Sequence, residues 1–483
     1  MSARIGSPSD DGSGAAPSAS FAGRRIHFIG AGGAGMSAYA RACAALGATV
    51  SGSDRQASGY SEALARDQVM TVVIGHSPAN IPAGADVEVV ASSAIAQDNP
   101  ELAEARRRNL RCRSRAELLG ELSALKRTVA IAGTHGKTTT AAMCLHAFRA
   151  AGLDPSWLIG AAPGAGIANG GWSDGEWLIV EADESDRSLL ALRLEIAVLT
   201  NVELDHADAF ASLAELRELF ASFLERAPKA AICSRPELLA LRRGDALAYA
   251  PEQLELSSSG AHFCFGEVRV QLRVPGAHNA CNAAGALAAA KLAGADLKLA
   301  AAGLASFSGA ARRLQLVGSS GAGALIYDDY AHHPSEVQAT LAAARPIAEE
   351  RGGRLVAAFQ PHLYSRTALF ADRFGQALAA ADVVACLDVY PARERAQDHP
   401  GVSGLLVAAA AAQAARGRTV YWLPRQREAL QVLAGALRAR DVCVVMGAGD
   451  CDRLAHALAS AGLQKELASE RDRVAATAQS EPR

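Results

Sequence analysis

The chain has 483 residues, which at about 150 residues per domain predicts roughly three domains. Half of the residues are hydrophobic and 20% are charged, enough for several buried cores and inconsistent with global disorder. With 48 Lys and Arg against 50 Asp and Glu, the net charge is -2. Nucleic acid and anionic membranes are therefore not attracted globally, and any phosphate binding must be local.

Residues 1–23 are rich in Ser, Gly and Pro, lack the apolar core of a signal peptide and read as a disordered leader. The first unit, expected over 24–125, opens with the apolar run Ile26 to Ile29, a short buried strand. A Gly-rich turn and a helix over 36–47 follow, then strand-like runs at 49–54, 71–75 and 87–93 with a helix at 61–67 between them. Alternation of this kind predicts a parallel, doubly wound sheet. The basic stretch Pro100 to Leu125 is expected to be helical and to close the unit.

A second unit is expected over 126–311. It carries strands at 128–133, 177–183 and 197–202 and helices at 141–150 and 212–227. A strand over Arg269 to Val274 precedes the turn Pro275-Gly276, an Ala-rich helix follows over 279–294, and Phe307-Ser308-Gly309 breaks the pattern. The third unit, 312–463, repeats the theme with strands near 324–330, 354–360, 383–389, 419–424 and 441–449. The charged tail 464–483 lacks strand signals. No run reaches the ~18 apolar residues of a membrane span. The nine cysteines show no CxxC pair or zinc spacing, which favours buried, reduced thiols and a cytoplasmic setting.

Two loops are built to hold phosphate. Gly30, Gly32 and Gly35 form GxGxxG between the first strand and helix, with Asp54 ending the next strand 24 residues after Gly30. Alone, that pattern suits a dinucleotide, the aspartate meeting a ribose hydroxyl, or simple helix packing. The second loop, Gly133-Thr134-His135-Gly136-Lys137-Thr138-Thr139, is a shortened P-loop, because Ile131 occupies the position of the usual first glycine. Its amides would cradle phosphate oxygens, Lys137 would neutralise the β/γ charge, and the Thr138 hydroxyl would reach magnesium. EADESD at 181–186 packs four carboxylates at a strand end, and Asn201-Val-Glu203-Leu-Asp205-His206 ends another. Such clusters call for a cation or solvent, so His206 could join Glu181 and Thr138 around the metal.

Together these segments resemble the ATP-dependent Mur ligases of peptidoglycan synthesis, from about Arg25 to about Gly462. The carriers are HFIGAGGAGMS, VSGSD, AGTHGKTTT, EADESD, TNVELDH, PGAHNACNA, ARRLQ, DDYAHHP, FQPHLYSRT, DVYPA and GAGD. The resemblance implies an α/β chain of three domains: N-terminal Rossmann-like, central P-loop ATPase-like with a parallel or mixed sheet, and C-terminal Rossmann-like. It implies ATP and magnesium as cofactors, cell-wall precursor synthesis in the cytoplasm, and small-molecule substrates. The reaction implied joins L-alanine to the carboxylate of UDP-N-acetylmuramate through an acyl phosphate. It further makes the GxGxxG unit a UDP-sugar binder, not an NAD domain.

By the resemblance, Gly133 to Thr139 with Asn279 and Asn282 bind ATP, and Thr138, Glu181 and His206 hold the metal. Gly32, Gly33, Ala34, Gly35 and Met36 meet the UDP diphosphate, with Asp54 and His76 around the UDP-sugar. Lys137, Arg313 and Asp329 are implied as catalytic, and His332, His333 and Arg366 face the amino acid. The C-terminal unit is expected to close on the central one, because an acyl phosphate must be kept from water. A homodimer stays open.

One departure stands out: the family has FQPHRYSRT, and here Leu363 replaces the first arginine. Leu314 also replaces the aromatic residue usual after the Arg pair, and the loop at 393–401 is longer than the family's. Leu363 keeps alive a sister ligase that adds a peptide or another amino acid to the same sugar. An NAD(P)-dependent oxidoreductase would leave the P-loop and EADESD unexplained. A non-catalytic nucleotide binder would leave the full catalytic set without a purpose.

Overall fold

The computed structural model describes residues 21–164, 166–205 and 210–460. The leader up to residue 20, the tail and His206 lie outside the described residues. The first sheet has five parallel strands in the order Val72–Ile74, Thr49–Asp54, Arg25–Ile29, Val87–Ala91, Arg111–Ser114. The second has seven: Leu247–Tyr249, Lys229–Cys233, Ile196–Leu199, Arg127–Ala132, Trp177–Glu181, Ser156–Leu158 and Gly170–Gly171. Only its last strand is antiparallel. The third sheet runs Gln315–Ser319, Leu325–Asp329, Val442–Met446, Leu355–Phe359, Val383–Cys386, Thr419–Trp422, with the first strand antiparallel. All three are α/β sheets of the kind the alternating pattern predicts, and no described helix is long and apolar enough to cross a membrane.

The stretch Pro100 to Leu125 is not one helical segment. A helix over Pro100–Arg107 stops before Asn109, whose φ is +54°. Arg111–Ser114 then pairs with Val87–Ala91 as the fifth strand. Ser114 starts a new helix, Arg115–Ala124, through a capping box in which its side chain accepts the Glu117 N–H. Only Arg113 of this charged strand is buried, so no apolar alternation marks it. A three-stranded antiparallel sheet, Glu252–Ser257, Gly260–Phe265 and Val268–Leu272, also exceeds the single strand expected over 269–274. A helix at Leu297–Ala305 precedes the Phe307–Gly309 break.

The first and second sheets share one continuous apolar core, in which Met36 and Tyr39 of the helix Ala34–Ala45 join Val129, Leu178 and Phe148. Contact there is close: a Cβ on Gly170 would lie 2.6 Å from the Ala38 Cα. The third sheet has two cores of its own, one on each face. Six of the nine cysteines are buried, Cys264 and Cys281 are partly so, Cys112 is exposed, and all nine are free.

Candidate active site

The P-loop helix Lys137–Ala150 begins where strand order reverses in the second sheet, the crevice in which open α/β sheets bind ligands. Strand Arg127–Ala132 lies between Trp177–Glu181 and Ile196–Leu199, so Gly133, Glu181 and Asn201 converge at one edge. Two glycines are dictated sterically. Gly136 caps the helix at φ +80°, and a Cβ at Gly133 would meet Thr200 Oγ1 at 2.2 Å. The loop is held by its neighbour strand: Asn201 Oδ1 accepts the His135 N–H at 2.8 Å, and Thr134 Oγ1 donates to the Glu203 carbonyl at 3.0 Å. Asn282 packs on the same loop, its Oδ1 accepting from Thr140 Oγ1 at 3.2 Å, while Asn279 donates to the Pro275 carbonyl.

Lys137 Nζ contacts the Gly133 carbonyl at 2.7 Å, the Thr134 carbonyl at 3.0 Å and Glu184 at 3.0 Å. Burial alone would lower its pKa, but Glu184, Asp183 and Glu181 together raise it, so the ammonium stays charged. Burial pushes Glu184 itself up to about 7. Thr138 Oγ1 donates to Glu181 Oε1 at 2.9 Å, and Glu181 Oε2 accepts the Gly160 N–H at 2.7 Å. A hydroxyl and a carboxylate at the start of this helix are hard oxygen donors and fit magnesium. A second donor set lies next to it: one atom each from His135, Glu203 and His333, all within 4.8 Å of one another.

Arg313 reaches the P-loop from the third sheet, its Nη2 donating to Thr138 Oγ1 at 3.4 Å. Left-handed residues flank it, Arg312 at φ +57° and Leu314 at +45°. Asp329 Oδ2 accepts the Leu314 N–H at 2.6 Å, and Oδ1 accepts from Ala331 N and Thr340 Oγ1. The sequence placed Asp329 with the catalytic groups; in the structure these hydrogen bonds hold the turn that carries Arg313. Burial pushes its pKa up to about 6. Arg312 is tied to Asp328 and to the Gly447 carbonyl.

The remaining C-terminal groups meet the central unit in a polar seam. His333 is fully buried and caps the helix Pro334–Glu350, and Glu336 returns to the His332 and His333 amides. Glu336 also lies 3.2 Å from His135 Nδ1. Burial opposes a charge on His135, but Glu336 and Glu203 overcome it and raise its pKa to about 9. Glu203 accepts from Ser335 Oγ. Arg366, expected to await the amino acid, is buried and donates from Nε and Nη2 to Asp205 Oδ1 at 2.9 and 2.8 Å. Asn201, Asp205, Glu203 and Glu336 are thus site residues without an assigned role in the sequence reading. The first three stood in a quoted motif, and Glu336 is legible as position N3 of the capping box His333-Pro-Ser-Glu336.

In the first unit, Gly32 to Met36 form the turn into the helix Ala34–Ala45. Asp54 Oδ2 accepts the Gly32 N–H at 2.9 Å and Ser58 Oγ donates to the Gly32 carbonyl, so Asp54 braces the loop. His76 Nδ1 lies 3.2 Å from both Ser53 Oγ and Glu101 Oε1, in a network around the buried Glu101. Arg115, not singled out in the sequence, lies at the helix start beside Gly35.

Comparison with known proteins agrees with this arrangement. Residues 25–127 match the Mur ligase family catalytic domain, 131–290 the Mur ligase middle domain, and 312–449 the Mur ligase glutamate ligase domain. The UDP-N-acetylmuramate–L-alanine ligase of Mycolicibacterium smegmatis is 42% identical over 459 residues, covering 89% of this chain and 93% of that one. The structure of the UDP-N-acetylmuramate-alanine ligase of Thermotoga maritima superposes with a TM-score of 0.77 at 25% identity, over 92% of this chain and 99% of that one. A murein peptide ligase from Psychrobacter arcticus shares the fold, with a TM-score of 0.66 at 24% identity over 90% and 99%. Three successive domain matches along one chain, with a relative of that identity across nearly all of it, establish that the chain belongs to the Mur ligase family.

Proposed function

We propose that the protein catalyses the ATP-dependent joining of L-alanine to the carboxylate of UDP-N-acetylmuramate, in peptidoglycan precursor synthesis. The observation that carries this reading is the 42% identity with the M. smegmatis UDP-N-acetylmuramate–L-alanine ligase over 89% of the chain. The higher TM-score with the alanine ligase of T. maritima than with the murein peptide ligase, 0.77 against 0.66, points the same way.

A carboxylate is a poor acyl donor because its oxygen leaves badly. In the proposed reaction a carboxylate oxygen of the sugar bonds to the γ-phosphorus, ADP leaves, and an acyl phosphate results. The amine nitrogen of alanine then bonds to the acyl carbon, the C–O bond to phosphate breaks, and the nitrogen loses a proton. Lys137 and the amides of Gly136 to Thr139 bind and orient the phosphates at the helix N-terminus. Arg313, 3.4 Å from Thr138 Oγ1, adds positive charge from the C-terminal side as the phosphoryl group transfers. Thr138 and Glu181 would hold magnesium, which when bound neutralises phosphate charge. His332 and His333, at the start of the helix Pro334–Glu350, border the amino-acid side. Arg313, His135 and Glu336 bring the C-terminal unit against the P-loop and exclude water from the acyl phosphate.

Phosphate release tests this with ATP, UDP-N-acetylmuramate and a panel of single amino acids and short peptides. Release is expected only with all three substrates and best with L-alanine. Lys137→Ala should lower it by about 100-fold or more. Release without the sugar, or with no amino acid in the panel, overturns the reading. Release with a peptide but not with L-alanine assigns the protein to the sister ligases.

A further inference from the structure

Arg115 begins the helix Arg115–Ala124, on the first unit, and its guanidinium points two ways. Nη2 faces the second unit, 3.2 Å from Asp183 Oδ2, 2.7 Å from Asp186 Oδ2 and 3.2 Å from Ser188 Oγ. Nη1 faces the glycine loop, 3.1 Å from where a Cβ on Gly35 would lie, and among the described residues it is the one heavy atom within 4 Å of that point beyond the loop helix and chain neighbours. Nε is buried with no hydrogen-bond partner among the described residues. The side chain is 16% exposed, so its position is set by packing. A guanidinium offers donors along two edges of one rigid plane, which lets it serve two anions at once.

Two of the four carboxylates in EADESD, Asp183 and Asp186, are therefore paired with Arg115. Burial would raise the pKa of Asp183, but Arg115 and Lys137 prevail and hold it near about 2. Nη1 thus lies against the first turn of the helix Ala34–Ala45, whose N-terminal amides favour a phosphate.

We propose that Arg115 is a substrate-binding residue: Nη1 takes the diphosphate of the sugar nucleotide at Gly35 while Nη2 holds Asp183 and Asp186 of the ATP-binding unit. This rests on the reading of the glycine loop as the UDP-sugar site. It makes Arg115 a single side chain shared by the diphosphate and by the strand end that carries Glu181. Filling the sugar site then steadies the acidic turn beside Lys137, a coupling that no residue of the GxGxxG loop supplies alone.

Calorimetric titration of the intact protein with UDP and with uridine tests the proposal, because the two differ only in the diphosphate. Arg115→Gln should weaken UDP about 10-fold or more and leave uridine within twofold, the loss expected for one charged hydrogen bond. The Michaelis constant for UDP-N-acetylmuramate should rise in parallel, and that for ATP should rise by a smaller factor, because the variant also loses the contacts to Asp183 and Asp186. Arg115→Lys should fall between wild type and Arg115→Gln for UDP. Gly35→Ala supplies a second variant should Arg115→Gln fail to melt cooperatively. Its methyl group would sit against Nη1 without removing the contacts to Asp183 and Asp186, and UDP should again weaken selectively. UDP affinity within twofold of wild type in a cooperatively melting Arg115→Gln, or in Gly35→Ala where Arg115→Gln does not melt cooperatively, overturns the proposal, and so does equal weakening of UDP and uridine, which marks general disruption. A wild-type protein that binds neither ligand overturns the sugar-nucleotide reading as well.

Discussion

The two junctions of the central unit are built from different materials. Toward the first unit the contact is apolar and continuous, with Met36, Ala38 and Tyr39 sharing a core with Val129 and Leu178. A few polar ties such as Asn169 Nδ2 to the Ala34 carbonyl accompany it. Toward the C-terminal unit the ties at the P-loop are polar: His135 with Glu336, Glu203 with Ser335, Asp205 with Arg366, Thr138 with Arg313. The C-terminal unit keeps its own cores on the two faces of its sheet. An apolar junction is cheap to keep closed and hard to part, because opening it exposes carbon to water. A polar junction exchanges its partners with water at little net cost. On this contrast, opening is expected at the C-terminal side, where the acyl phosphate would need protection and the products an exit.

Arg366 carries the largest expected effect. Its side chain is 6% exposed and that of Asp205 is 4%. Arg366→Met leaves a buried carboxylate without its guanidinium, a change that costs about 3–5 kcal/mol when the pair is truly desolvated. Small-angle scattering should show an expanded particle for this variant, with the first two units still packed together. Adding Asp205→Asn should restore most of the compaction. Unchanged scattering for Arg366→Met would mean that the C-terminal unit is held by its other contacts, and the contrast between the junctions would weaken.

Next in size is the pH response. His135 faces Glu336 from the helix Pro334–Glu350, Glu203 from its own unit, and the His333 ring 4.7 Å away. Its pKa is raised from 6.5 to about 9, so its stabilisation is fully present below about 6.5 and disappears as pH rises through about 9. The shift corresponds to up to roughly 3 kcal/mol. The contrast predicts that the C-terminal junction loosens between pH 7 and 9. The apolar junction does not follow, since Asp183 beside Arg115 titrates only near about 2. Hydrogen exchange at the P-loop and at the helix Pro334–Glu350 should rise over that range in wild type and be flat in His135→Gln. Parallel profiles in the two proteins would remove His135 from the account.

The contrast also explains what could be read in advance. The phosphate loops were legible because the chemistry is local: a strand, two glycines, a lysine and a threonine must adjoin in sequence to wrap one anion. The α/β alternation was legible for the same reason. The pairings across the junctions were not, because Arg115 with Asp186 or Asp205 with Arg366 join over long stretches of chain. Arg111–Ser114 was read as helix because a charged edge strand has no apolar period to reveal it. The strand Glu252–Ser257 is similarly exposed and polar. Asp329 was assigned to the chemistry through the resemblance, and its hydrogen bonds to Leu314 N and Ala331 N, which tie it to the turn, were not legible in the motif.

The smallest expected effect concerns Leu363, where the family's first arginine is absent. Leu363 is 3% exposed, at φ +67°, and precedes the helix Tyr364–Leu378. Its N–H donates to the Tyr390 carbonyl at 3.0 Å, and Glu394 of the 393–401 loop accepts the Ser365 N–H at 3.0 Å. Tyr390 and Glu394 therefore clamp the turn at Leu363. The motif arginine Arg366 is committed to Asp205, so an amino-acid carboxylate bound there, as the resemblance implies, would compete with a buried aspartate for it. Leu363→Arg should supply the missing cation and lower the Michaelis constant for L-alanine by about 10-fold, the value of one added charged hydrogen bond. The melting temperature should fall slightly, because a buried leucine is lost from the clamp. An unchanged Michaelis constant with a folded protein would show that the amino acid is held elsewhere. The polar junction would then be a hinge only, with no share in choosing the substrate.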